Sequence, residues 1–132
     1  VIAVASGGLS TPEVYAELRR LREAGRAAPT ATDSEPLLAA LRQHDPKVLA
    51  SALANDMQAA AISLRPSLRR TLRAGDEEGA LASFVSGSGP TCVFLAADEE
   101  HATRLAARIA SHGVCRSVRT AHGPVPGARV VS

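Results

Sequence analysis

Apolar and polar positions along the 132-residue chain fall into blocks whose period changes from one block to the next. Val1-Ile2-Ala3-Val4-Ala5 is a continuous apolar run that stops at Ser6-Gly7-Gly8, the pattern of a buried strand. Val14, Leu18 and Leu21 then recur at three- and four-residue spacing, which predicts a helix from about Ser10 to Ala24. Its start is written in Ser10-Thr11-Pro12-Glu13: Ser10 as the cap, Glu13 three residues on, and Pro12 in the first turn. Gly25 supplies the stop. Residues 26–33 form a polar linker too short to separate one domain from another. Helices are expected over about 34–43 and 46–64, with Ala54-Asn55 as the place where the second would break, and from Pro66 to Gly75. Asp45-Pro46 pairs a cap with proline at the first helical position, and Arg65-Pro66 ends one helix and begins the next. Ala59-Ala60-Ala61 suits close helix packing.

Residues 80–85 and 91–96 are apolar and strand-like, and Ser86-Gly87-Ser88-Gly89-Pro90 lies between them. A helix over about 98–111 carries Ala102, Leu105, Ala106 and Ile109 on one face, and residues 114–121 read as a last strand. The tail through Gly123-Pro124-Val125-Pro126-Gly127 is expected to be extended, with a short edge pairing at Val130-Val131. Two strands joined by a five-residue turn are antiparallel, and the remaining order is strand, helices, strand pair, helix, strand. The expected fold is therefore α+β: a ferredoxin-like antiparallel sheet with helices on one face, forming one domain over residues 1–132.

Composition narrows the partners. A hydrophobic fraction of 45% with 21% charged residues is that of an ordinary folded domain. Only 2% of residues are aromatic (Tyr15, Phe84 and Phe94), so the core must be built from Ala, Leu, Val and Ile. No stacking surface for nucleic acid is available. The net charge of +2 arises from arginines that alternate with acidic residues along helices, a solvated face and not a nucleic-acid patch. Cys92 and Cys115 stand alone in apolar runs and give neither a disulfide framework nor a zinc pattern. Buried reduced thiols in a cytoplasmic protein are expected. The four histidines lack metal-ligand spacing, so no metal site is expected. No apolar run approaches the roughly 18 residues of a membrane span, and no signal-peptide pattern is present. The opening inside a strand-like run, without Met, leads to the expectation that the chain is a fragment of a longer protein.

Three segments carry candidate chemistry. In Ser86-Gly87-Ser88-Gly89-Pro90-Thr91 two glycines permit positive φ, and successive amides with nearby hydroxyls can form an anion-binding nest. A plain hairpin turn has the same pattern. No Gly-Lys-Ser/Thr follows, so this is not a Walker loop. Gly7-Gly8-Leu9-Ser10-Thr11-Pro12-Glu13-Val14-Tyr15 places a glycine turn before a helix N-terminus, with Tyr15 either packed in the core or facing a ligand. Asn55-Asp56, inside an apolar stretch, reads as an internal cap, a break, or polar groups tying the helix to the glycine turn.

In this order, Gly8 to Tyr15, Asn55-Asp56, Ser86 to Cys92, and the closing Gly123-Pro124-Val125-Pro126-Gly127-Ala128-Arg129 resemble the C-terminal domain of GHMP-superfamily kinases. The glycine motif alone is similar to the whole superfamily; with the Ser-Thr-Pro helix start it resembles the 4-diphosphocytidyl-2-C-methyl-D-erythritol kinases. The resemblance implies transfer of the ATP γ-phosphate, with Mg, to the 2-hydroxyl of a cytidine diphosphate sugar alcohol in non-mevalonate isoprenoid synthesis. It implies that Thr11, Pro12 and Tyr15 line the cytidine pocket. It also implies that Ser86, Gly87, Ser88 and Gly89 form the glycine motif near the phosphates. The family's catalytic Asp and Lys and its ATP-wrapping glycine motif have no counterpart here. No catalytic residue is therefore expected in this segment, ATP and Mg are expected to be held mainly by an absent N-terminal domain, and these residues alone are expected to be inactive. Two other readings stand beside this one: another GHMP kinase of homoserine or mevalonate type, and a stand-alone ferredoxin-like module binding a small metabolite.

Overall fold

The structure, a computed structural model, describes residues 1–29, 33–128 and 130. The elements run β1 (Ile2–Val4), α1 (Thr11–Glu23), α2 (Glu35–Arg42), α3 (Pro46–Ala52), α4 (Gln58–Leu64), α5 (Ser67–Glu77), β2 (Ala82–Val85), β3 (Cys92–Leu95), α6 (Glu99–Ser111) and β4 (Ser117–Arg119). The four strands form one sheet in the order β2-β3-β1-β4, antiparallel throughout. Val85 pairs with Cys92 across the hairpin, and Ala3 lies between Cys92 and Val118. This is the expected α+β, ferredoxin-like arrangement.

One face of the sheet builds the main core. Ala3, Val85, Cys92 and Phe94 meet Leu68 and Leu72 of α5 and Leu105 and Ile109 of α6. Fully burying a side chain such as Leu68 or Phe94 contributes about 1.5–3 kcal/mol relative to leaving it exposed. Gly75 lets α5 press onto the sheet: a Cβ there would lie 2.1 Å from Phe94 Cδ1. The sequence suggested that Gly75 ends the helix. Instead α5 continues to Glu77 and closes at Gly79, whose φ is +85°, through bonds from Gly79 N to the Asp76 carbonyl and from Ala80 N to the Gly75 carbonyl. The glycine at position 75 answers to packing and not to helix termination. The α1 stop is where expected. Gly25 has φ +66°, and Gly25 N and Arg26 N close on the carbonyls of Arg22 and Leu21.

A second, smaller core forms where Val14, Leu18 and Leu21 of α1 pack on Ala60 of α4. The alanine run admits α1 closely, as its composition suggested. The long helix expected over 46–64 is two: Asp45 caps α3 by accepting from Lys47 N at 2.8 Å, and the chain leaves helical geometry at Leu53. The last strand is shorter than expected at both ends, and on its N-terminal side Thr71 Oγ1 of α5 donates to the Val114 carbonyl (3.1 Å). Cys92 is buried, as expected, but Cys115 is only half-buried. Val130 lies in no strand and is 98% exposed, while Val131 and Arg129 fall outside the described residues.

Candidate functional site

The hairpin turn between β2 and β3 is built by glycine geometry. Gly87 and Gly89 have φ of +54° and +78°, Ser86 N donates to the Thr91 carbonyl (2.8 Å), and Gly89 N donates to the Ser86 carbonyl (2.9 Å). The amides of Gly87 and Ser88 donate to nothing among the described residues, so two adjacent N–H groups remain for an anion. Gly89 cannot carry a side chain at ordinary cost: a Cβ would meet Val85 Cγ1 at 2.9 Å and Leu9 Cδ1 at 3.4 Å.

The turn and the start of α1 touch. Ser88 Oγ and Thr11 Oγ1 lie 2.8 Å apart, a hydrogen bond between segments 77 residues apart in sequence. Tyr15 follows Thr11 by four residues, so it rises from the same helix face one turn along. Its ring is 56% exposed, whereas its neighbour Val14 is fully buried. The core alternative for Tyr15 therefore fails: the apolar stripe of α1 is completed by Val14, Leu18 and Leu21 without it. Pro12 is exposed in the same first turn. Ser10 holds the cap position, but its side chain makes no capping hydrogen bond, contrary to the capping box that Ser10 and Glu13 suggested. The side chain that is engaged here is that of Thr11.

Behind the turn stands Asn55, in the loop between α3 and α4. Its Nδ2 donates to the carbonyls of Val85 (2.6 Å) and Gly87 (2.8 Å), while Oδ1 accepts from Met57 N (3.0 Å). Of the three roles the sequence left open, it fills two, the break and the tie to the glycine turn. It is not the helix cap, since α4 begins at Gln58 with Met57 in the cap position, and the bond to Met57 N closes a local turn before it. Gln58 adds a bond the sequence did not signal, its Oε1 accepting from Val85 N at 2.8 Å. Asp56 pairs with Arg22 near the end of α1 at 3.2 Å. Arg65 was also missed: its guanidinium donates to the carbonyl of Ser6, at the end of β1, and reaches Ser67 Oγ at 3.4 Å. The bonds from Gln58 and from Arg65 to Ser6 join residues 27 and 59 positions apart, and nothing local in the sequence marks them.

Neither cysteine is activated as a nucleophile. Burial pushes the Cys92 thiol up to about 11, with the nearby Cys115 adding to it, and burial likewise raises Cys115. Glu17 of α1, by contrast, is held down to about 2 by hydrogen bonds first from Arg20 and then from Ser63 of α4. That makes it a brace between helices. Among the described residues no cluster of three or more His, Cys, Asp or Glu converges on a point where a metal ion could sit. A shallow concavity of about 450 Å³ is lined by Ala27, Ala54, Asn55, Asp56 and Ile62 among others, and another of about 130 Å³ by Ser6, Arg65, Thr71 and Cys115. Neither is lined by Thr11, Tyr15 or the turn residues, which form an open surface on this chain. No helix among the described residues is long and apolar enough to cross a membrane.

A β2-β3-β1-β4 sheet whose glycine hairpin is tied to the first long helix has a known counterpart. Residues 37–115 match the family described as GHMP kinases C terminal, and the chain belongs to that family. The relatives are more particular. Over 98% of its length the chain is 62% identical to the 4-diphosphocytidyl-2-C-methyl-D-erythritol kinase of Salinispora tropica, covering 41% of that protein. It is 60% identical over 99% of its length to the enzyme of that name from Nocardia farcinica, covering 42% of it. It is 57% identical over its whole length to the one from Mycobacterium tuberculosis, covering 41%. The chain thus spans about two fifths of the length of these curated relatives. Among solved structures, a 4-(cytidine 5'-diphospho)-2C-methyl-D-erythritol kinase superposes with a TM-score of 0.64 at 23% identity, over 83% of this chain and 38% of that one. The homoserine kinase of Cytophaga hutchinsonii superposes with a TM-score of 0.60 at 17% identity, over 83% and 35%. Both likenesses bear on the fold.

Proposed function

We propose that this chain is the substrate-side portion of a cytoplasmic kinase that transfers the γ-phosphate of ATP to the 2-hydroxyl of 4-diphosphocytidyl-2-C-methyl-D-erythritol. The observation that carries the reading is the 2.8 Å contact between Ser88 and Thr11, which sets a turn with two open amides beside a helix presenting an exposed tyrosine. The relatives' names supply the substrate that fits such a surface. Tyr15 offers its flat face to the cytosine, a stack of about 1–3 kcal/mol. Thr11 and Pro12 form the adjoining wall of the cytidine pocket. The amides of Gly87 and Ser88, within the Ser86–Gly89 turn, donate to phosphate oxygens.

Phosphoryl transfer rests mainly on positioning and charge stabilisation. The bond from the γ-phosphorus to its bridging oxygen breaks, one to the substrate alcohol oxygen forms, and the alcohol proton must pass to a base. None of the residues assigned to this site is such a base, and none is a carboxylate of the kind that holds Mg. Those tasks, and most of the hold on ATP, fall to the N-terminal domain of the complete polypeptide. The 132 residues alone are accordingly expected to be inactive. The test is a transfer assay on the complete polypeptide with ATP and a panel of acceptors. Turnover of the cytidyl alcohol well above homoserine and mevalonate is expected; equal or preferred use of homoserine would sink the assignment.

A further inference from the structure

We infer that Asn55 is a positioning residue for phosphoryl transfer: its side-chain amide aims the Ser88 N–H at the phosphate. The argument begins with the peptide plane. The carbonyl of Gly87 and the N–H of Ser88 belong to one rigid unit and point in opposite directions. Whatever fixes the carbonyl inward fixes the N–H outward. Gly87, at φ +54° and without a side chain, exerts little conformational restraint of its own on that plane. Asn55 does: its Nδ2 holds the Gly87 carbonyl at 2.8 Å and the Val85 carbonyl at 2.6 Å. The second bond fixes the Ser86 plane in the same way, and Ser86 N accordingly reaches the Thr91 carbonyl. The orientation of the Asn55 amide is itself determined. Its NH2 must face the two carbonyls and its oxygen the Met57 N–H, because no other assignment pairs every group. The next residue extends the bracket, since Asp56 pairs with Arg22 on the helix that bears Tyr15.

This inference rests on the kinase reading, and the two can fail separately. In the complete polypeptide, Asn55→Asp keeps the shape and the acceptor toward Met57 but turns an oxygen toward two carbonyls. Near pH 8 its kcat, normalised to calorimetrically counted cytidyl-alcohol sites, is expected to fall on the order of 100-fold, as for a sub-ångström to ångström misplacement. KM for the cytidyl alcohol should change less than about three-fold, the mark of an interaction made in the transition state. Relative to the unmodified enzyme, activity should recover as the pH falls and the new carboxyl protonates, because a protonated carboxyl again donates one hydrogen bond. A merely structural role predicts lost sites with unchanged turnover per site and no such recovery; either result overturns the inference. A measurement independent of the variant's folding uses the unmodified polypeptide and ADP. The Ser88 amide resonance should shift on binding, more than that of Gly89, whose N–H is already donated to Ser86, and a stationary Ser88 signal overturns the inference. No transfer at all by the unmodified polypeptide would remove the kinase reading instead.

Discussion

The two glycine-containing segments of the candidate site are held in opposite ways. The hairpin turn is gripped from within: Asn55 takes two of its carbonyls, Gln58 takes the Val85 amide, and Gly89 packs against Val85 and Leu9. The start of α1 is held at its margins, by Arg65 on the Ser6 carbonyl and by Thr11 on Ser88, and its own cap side chain is idle. Gly8 has no atom within 4 Å of where a Cβ would stand. The difference fits the two tasks proposed for these segments. A phosphate needs donors fixed in direction, whereas a planar base needs a flat surface and tolerates some slack.

The strongest way to break this contrast is to put a methyl group into the tight turn. Gly89→Ala combines a clash 2.9 Å from Val85 with a left-handed φ, and should cost about 2–4 kcal/mol in thermal or denaturant unfolding. Gly8→Ala is expected to cost little by comparison. Equal losses at the two positions would refute the difference in grip. Next comes Tyr15→Ala, which should weaken binding of the cytidyl alcohol by about 1–3 kcal/mol, roughly 5- to 150-fold in Kd, with Tm nearly unchanged because the ring is exposed. Calorimetric titration against a melting curve separates the two effects. A smaller effect is expected from Thr11→Val, which removes the hydroxyl facing Ser88. About 0.5–1.5 kcal/mol is at stake, read as a shift in unfolding midpoint.

The least of the four concerns pH. The Glu17 carboxylate is held at about 2 against an ordinary 4.5, so its brace between α1 and α4 is complete above about pH 4.5 and is lost as the pH falls toward 2. Exposure of its partner Arg20 to solvent keeps this contribution modest. Glu17→Gln should lower neutral-pH stability modestly, leave stability near pH 2 little altered, and so flatten that stretch of the stability–pH curve; an unchanged acid limb would remove Glu17 from the account.

How much of this was legible in the chain depends on how far apart the interacting residues lie. Helix ends set by Pro12, Gly25, Asp45 and Pro66 were readable because capping and proline chemistry act within four residues. The sheet followed from apolar runs and one short turn. Ser10 misled, since its pattern fits a cap whether or not the hydroxyl turns inward. Gly75 misled for another reason: its small size serves Phe94, a partner no local rule names. At the site, glycines at 87 and 89 advertised the turn, yet the residues that hold it, Asn55 and Gln58, come from a loop and helix some thirty positions earlier. Tyr15 could be placed on a helix from sequence, but only the three-dimensional stripe of α1 shows that its ring faces outward.

The position of β1 in the interior of the sheet has a kinetic consequence. Of its pairing partners, β3 follows five helices and β2 in the chain, and β4 follows a sixth helix, so on the ribosome its edges stay unpaired while most of the domain is made. Helices α1 to α5 can form early from near neighbours, whereas closing the sheet demands contacts across most of the sequence, which places assembly among the slow, high-contact-order cases. A nascent chain halted before residue 117 would carry an open sheet edge, which is where chaperone binding or aggregation should concentrate.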